Sequence, residues 1–112
     1  MLRPVCQSHI KSALTCKDKQ GALDVRLANR PEHLAYLEGL NKEGKLKFAG
    51  PLLADDGKPL GSLVAVEVAD RTAAEEIAAN DPYAKAGLFE SVEIYGWNWV
   101  FNAPAAAKQE AK

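Results

Sequence analysis

Apolar and polar residues follow one another along this chain in short alternating runs and two longer helical periods. Residues 12–16 read as a strand that ends in the charged turn Lys17-Asp18-Lys19-Gln20-Gly21. Residues 22–43 carry Leu23, Leu27, Leu34, Leu37 and Leu40 as the apolar positions of a helical stretch, and Gly44 is a good stop. Pro31 divides that stretch, so either the helix kinks there or a second helix starts with Pro31 as its first residue. Residues 45–53 read as a strand with Leu46, Phe48 and Gly50 on one face. Residues 55–59 form a turn, and residues 62–68 a β-branched strand that completes a hairpin. The next helix opens at residues 70–75, where Thr72 and Glu75 are spaced for a capping box, and it stops near Asn80-Asp81-Pro82. Residues 83–87 make one more turn. Residues 88–101 form a long last strand with Phe89, Tyr95, Trp97, Trp99 and Phe101 on one parity.

The predicted order is β-α-β-β-α-β, the α+β, ferredoxin-like arrangement of an antiparallel four-stranded sheet with its helices on one face. The strands carry apolar residues on both parities, as Leu63 and Ala65 beside Val64, Val66 and Val68 show. A sheet with two apolar faces needs a second cover, and the simplest cover is another copy. A homodimer with sheets packed face to face is therefore expected. Residues 1–11 read as an N-terminal extension, residues 12–101 as the single domain, and residues 102–112 as a low-complexity, disordered tail.

Charge and composition narrow the function. The 112 residues are 47% hydrophobic and 26% charged, with a net charge of −1, so there is no basic footprint for nucleic acid or an anionic membrane. The aromatic stripe near the end is accordingly read as dimer contact or core, not as a platform for bases. Apolar runs are too short to span a bilayer and the N-terminus lacks a signal-peptide core, which predicts a cytoplasmic protein. Cys6 and Cys16 fit no metal spacing and read as unpaired thiols; neither a metal nor an organic cofactor is expected.

His33 is the main candidate for chemistry. It shares a helical face with Leu37 and Leu40 and so points toward the sheet or its edge. Were the helix to restart at Pro31, His33 would lie in its first turn, where the dipole and burial both favour a neutral imidazole able to act as a base. The competing reading is a core histidine satisfied by a carbonyl or a tyrosine. His9 lies in a stretch without period and reads as solvated. Asp81, ahead of Pro82, reads either as the cap of the short turn that follows or as a partner for a hydrogen-bonding side chain. Gly50-Pro51 and Gly61-Ser62 flank the hairpin and allow close backbone approach. Arg26 and Arg30 offer charge for an anionic substrate, against a plain solvated reading.

Four segments, residues 26–37 (RLANRPEHLAYL), 44–52 (GKLKFAGPL), 61–64 (GSLV) and 81–89 (DPYAKAGLF), together resemble the YciI-like, or YCII-related, family. The resemblance runs in order from Ala13 to Phe101, and residues 1–11 depart from it as an extension. It implies a dimeric α+β barrel and an active site pairing the helix histidine with the aspartate of the Asp-Pro-Tyr motif, here His33 and Asp81. Ser62 matches the family's small polar residue after the glycine. The family is related to muconolactone-isomerase-like barrels, and a relative is a dehydrochlorinase acting on a chlorinated hydroxyquinol. On this basis the chain is expected to be a small homodimeric enzyme of lyase or isomerase type without a cofactor. His33 would move a proton on a small molecule, Asp81 would orient the imidazole and stabilise its charged form, and Ser62, Tyr83 and Arg30 would position the substrate. The alternative is a non-catalytic dimeric module that binds or sequesters a small ligand.

Overall fold

The hydrophobic pattern folds into four antiparallel strands backed by three helices in a computed structural model that describes residues 10–103. Cys6, His9, most of the expected N-terminal extension and most of the expected tail lie outside the described residues. The elements are β1 (Ile10–Asp18), α1 (Leu23–Lys42), β2 (Leu46–Leu53), β3 (Pro59–Val68), α2 (Arg71–Asn80), α3 (Pro82–Lys85) and β4 (Phe89–Gly96). The sheet order is β2-β3-β1-β4, so the two central strands are the first and third in sequence, as the ferredoxin-like order requires. On the helix side, Leu14, Val64, Val66 and Val68 meet Leu37, Leu40, Ala74 and Ile77 in one core. Among the described residues no helix is long and apolar enough to cross a membrane.

The structure resolves the Pro31 alternatives by running α1 as one helix of 20 residues straight through it. The missing proline donor costs one intrahelical bond. Buried anchors on both sides, Arg26 before and His33, Leu37 and Leu40 after, hold the two halves to the same sheet. His33 is thus far from either helix end, and the expected dipole effect on its charge does not apply.

Two register shifts correct the strand readings. Between Leu46 and Phe48 the pairing with β3 slips by one residue, so Leu46 packs on the core while Phe48 lies opposite Ala65 on the helix-free face. Between Lys17 and Asp18 the pairing with β4 slips likewise and sets Phe89 opposite Asp18. Phe89 therefore joins the core, whereas Tyr95 stays on the other face, 54% exposed. The aromatic residues of the last segment do not share one face, and β4 ends at Gly96, before the tryptophans. On the helix-free face Phe48, Ala65, Ala13 and Tyr95 form one row across all four strands. Trp97 and Trp99 pack edge-on against Phe48, with ring centroids 5.6 and 5.4 Å away. The Trp97 Nε1 is buried there, without a hydrogen-bond partner among the described residues.

The cap of α2 is also displaced from the expected position. Asp70, not Thr72, is the N-cap, and its carboxylate accepts the Ala73 N–H at 2.9 Å. An aspartate in extended conformation immediately before the helix outcompetes a threonine two residues further in. Asp70→Ala should therefore cost about 1 kcal/mol in urea unfolding, while Thr72→Ala should leave the midpoint nearly unchanged.

Cys16, a core residue of β1, is a free thiol pushed up to about 12 by burial, with the Asp81 and Asp18 charges adding to it against Arg26. The thiolate is thus scarce at any ordinary pH. In a chain carrying Cys6→Ser, the folded protein should not react with a thiol-exchange reagent at pH 8, and should react stoichiometrically once denatured. Prompt reaction of the folded chain would contradict this burial.

Candidate functional site

Helical periodicity places Arg26, Arg30 and His33 four and seven residues apart on one face of α1, the face continued by Leu37 and Leu40. This face looks onto the ends of β1 and β3, where Asp18 and Ser62 point to the helix side. The third contributor is the α2–α3 junction. Asp81 precedes a proline and is held extended (φ −61°, ψ 130°), so α2 stops and α3 starts afresh with Pro82 at its first position. The Asp81 Oδ1 accepts the Tyr83 backbone N–H at 2.9 Å. The same oxygen lies 2.8 Å from His33 Nδ1. Both readings of Asp81, cap and side-chain partner, therefore hold at one atom.

The carboxylate is an acceptor, so Nδ1 carries a proton and, in the neutral imidazole, Nε2 keeps its lone pair. Tyr83 stacks on the imidazole with centroids 3.9 Å apart and planes 14° from parallel, which fixes the ring plane. Phe89 supports Tyr83 edge-on at 6.1 Å. The Arg26 guanidinium carbon also lies over the Tyr83 ring, 4.7 Å from its centroid. Burial pushes the Tyr83 phenol upward, opposed by Arg26 and Arg30 and reinforced by Asp81 and Asp18.

Arg26 is itself buried and spends its donors on two partners. Nε and Nη2 grip the two Asp18 oxygens at 2.7 and 3.1 Å, and Nη2 donates to Ser62 Oγ at 2.7 Å. A paired, hydrogen-bonded guanidinium is the form in which burial of this charge is tolerable. Ser62 is fixed from the other side by Gly61, whose close approach to the Cys16 carbonyl leaves no room for a Cβ.

These groups border a cavity of about 490 Å³. Arg26, Arg30, His33, Ser62 and Tyr83 supply its polar groups; Leu27, Leu34, Leu37, Val64, Pro51 and Pro59 supply its apolar wall. Arg30 is exposed. Asp81 does not line the cavity but stands behind the imidazole. A few convergent polar groups in an apolar hollow of this size suit a small organic molecule. A larger hollow of about 620 Å³ beside the C-terminal end of α1 holds Glu43, Lys45, Glu67 and Glu76 but no imidazole. Its Tyr36 is pushed up to about 12 by burial, Asp81 and Glu43, and donates its hydroxyl proton to the Ile77 carbonyl. Among the described residues no three His, Cys, Asp or Glu side chains gather as a metal ion would need.

The structure brings together all five residues singled out from the sequence: His33, Asp81, Ser62, Tyr83 and Arg30. Arg26, weighed as solvated, is instead buried, and its spacing of seven from His33 was the signal for it. Asp18, read as part of a charged turn, is the last residue of β1 and the partner of Arg26; no local pattern marks it.

Three relatives match this chain over most of their length. The YciI protein of Escherichia coli O6:H1 is 40% identical over 91 residues, which is 76% of this chain and 93% of that protein. An uncharacterised protein of Haemophilus influenzae is 38% identical over 91 residues, again 76% of this chain and 93% of that protein. The 5-chloro-2-hydroxyhydroquinone dehydrochlorinase TftG of Burkholderia phenoliruptrix AC1100, solved in complex with 2,5-dihydroxybenzoquinone, has a similar fold at TM-score 0.71 and 34% identity. The similarity covers 80% of this chain and 94% of that one. The YCII-related domain matches residues 10–98, and with nearly every described residue inside that match the chain belongs to the YCII-related family.

Proposed function

We propose that this protein is an enzyme of lyase or isomerase type in which His33 moves a proton on a small organic substrate and Asp81 serves the imidazole. The observation that carries the reading is the 2.8 Å contact between His33 Nδ1 and Asp81 Oδ1, with the imidazole bordering the cavity and the carboxylate behind it. An imidazole so tied presents Nε2 to the cavity as a base, and the carboxylate stabilises the imidazolium that forms when the proton is taken. Tyr83 holds the ring plane. Arg30, exposed and bordering the same cavity, is placed to meet an anionic group, and Ser62 and Tyr83 position the rest. The cycle takes up a proton and returns it, and calls on no cofactor. The TftG name adds support, since loss of HCl from a ring needs a base for the proton.

A second copy of the chain is the proposed partner, covering the helix-free sheet face where Phe48 and Tyr95 are exposed.

Two measurements check these readings. The wild-type chain should release chloride from 5-chloro-2-hydroxyhydroquinone. His33→Ala should slow that release by about 10²–10⁴-fold in a chain that still folds, and Asp81→Asn should slow it too. Retained turnover in His33→Ala rejects the base assignment; binding without turnover in the wild type identifies a ligand-binding module instead. In light scattering after size exclusion, the wild type should show twice the chain mass and Tyr95→Lys should shift toward the monomer. A monomeric wild type removes the dimer.

A further inference from the structure

We propose that Ser62, polarised by the buried Arg26, is the oxyanion donor of this site, and that the substrate is therefore a carbon acid whose developing oxyanion sits on the Ser62 hydroxyl. This rests on the proton-transfer reading above and names its substrate class.

The argument begins with the valence of one hydroxyl. A serine Oγ has one proton to donate and lone pairs to accept with. Here an acceptor site is taken by Arg26 Nη2 at 2.7 Å, so the proton of Ser62 remains to be given. Ser62 borders the same cavity as His33 and is only 3% exposed, so its hydroxyl is screened from bulk water. Accepting from a guanidinium makes a hydroxyl a stronger donor, because neighbouring hydrogen bonds polarise one another in a low-dielectric interior. Arg26 is held in this role by its two-oxygen grip on Asp18 and its place over Tyr83. In this role it acts on the substrate oxygen through Ser62 and is a positioning residue. The cavity thus offers one base, His33 Nε2, and one charge-backed donor, Ser62.

That pair fits one kind of step. His33 Nε2 takes the proton from a carbon next to a carbonyl, which in 5-chloro-2-hydroxyhydroquinone is the CH2 of its ring-diketone tautomer. The C–H electron pair becomes the new C=C bond, and the carbonyl π pair moves onto oxygen, where the Ser62 O–H meets it. In the return, the oxygen pair re-forms C=O. Either the imidazolium gives its proton to another carbon of the substrate, an isomerisation, or the C=C pair expels an anionic leaving group from the adjacent carbon, an elimination that leaves the proton on His33 for solvent. Neither course needs an oxidant or reductant. The donor acts where charge develops, so it favours the transition state over the bound substrate.

The test uses 2,5-dihydroxybenzoquinone as an optical probe and 5-chloro-2-hydroxyhydroquinone as the turnover substrate. The absorption maximum of the probe should move on binding to the wild type. It should return toward the free position in Ser62→Ala, and lie between the two in Arg26→Lys, where a point charge cannot serve Asp18 and Ser62 at once. Chloride release should fall about 10²–10³-fold in kcat in Ser62→Ala, with a much smaller change in KM, and Ser62→Thr should restore part of it. Should Ser62→Ala not fold, Ser62→Cys, a near-isosteric but weak donor, should show the same band displacement and rate loss. A folded Ser62→Ala or Ser62→Cys with wild-type kcat and band position overturns the donor assignment. If His33→Ala is then inactive, only this inference falls; if His33→Ala is also active, the proton-transfer reading falls with it.

Discussion

A single carboxylate oxygen, Asp81 Oδ1, accepts both the backbone N–H that starts α3 and the imidazole of His33. Most of the site depends on that shared acceptor. The proline at position 82 forces the chain out of α2, and Asp81 turns the break into a helix start. The same start delivers Tyr83 to the face of the imidazole it has just oriented. Backbone geometry and candidate chemistry are thus set by one residue. Asparagine at this position keeps the acceptor oxygen for the cap and loses the charge that would offset an imidazolium, which separates the two duties.

Tyr83 links two polar pairs that α1 also carries, through Arg26 and His33, on one face. On one side stands His33 with Asp81, on the other Arg26 with Asp18, and both meet the same aromatic ring. Arg26 and Asp18 carry opposite charges into the interior together. The Coulombic influence of Asp81 and Asp18 extends to Cys16, which stays a protonated, inert thiol between them. A group of such polarity beside the core is held together only if every member is partnered, and here each one is.

Much of this was open to reading from the chain, and the failures have specific causes. Strand and helix order follow from period, and the aim of His33 from its spacing to Leu37 and Leu40. Arg26 obeys the same spacing, but with a kink or a fresh start left open at Pro31 that spacing could not be carried across it; α1 runs through with buried anchors on both sides. The two register slips left no local mark, because an extra residue in one strand only matters once its partner is known. Asp81 lies 48 residues from His33, and Asp18 and Arg26 are joined by a turn whose composition says only that it is charged. Pairings of that kind are decided by the tertiary fold, and for the first the family resemblance, not the physics of the segment, named the partner.

Stability gives little reason for this arrangement. A small domain has a limited core, and a buried ion pair contributes less than apolar residues of the same volume because both charges must leave water. Yet of the six buried polar or charged residues among those described, Arg26, His33 and Ser62 line one cavity and Asp18 and Asp81 are each bonded to one of these three; only Ser12 lies outside the group. Buried polar groups scattered to meet local hydrogen-bonding needs would not converge in this way. Residues kept against the preference of the core, joined by hydrogen bonds and turned toward a space the size of a small molecule, are expected where a reaction has to be served. The cost is localised on one side of the sheet, at the end where β1, β3 and the α2–α3 junction meet, while the opposite half of α1 packs through Leu37 and Leu40 as an ordinary core helix. This division lets one small fold keep a stable half and a polar half at once, and it places the whole of the candidate chemistry in the second.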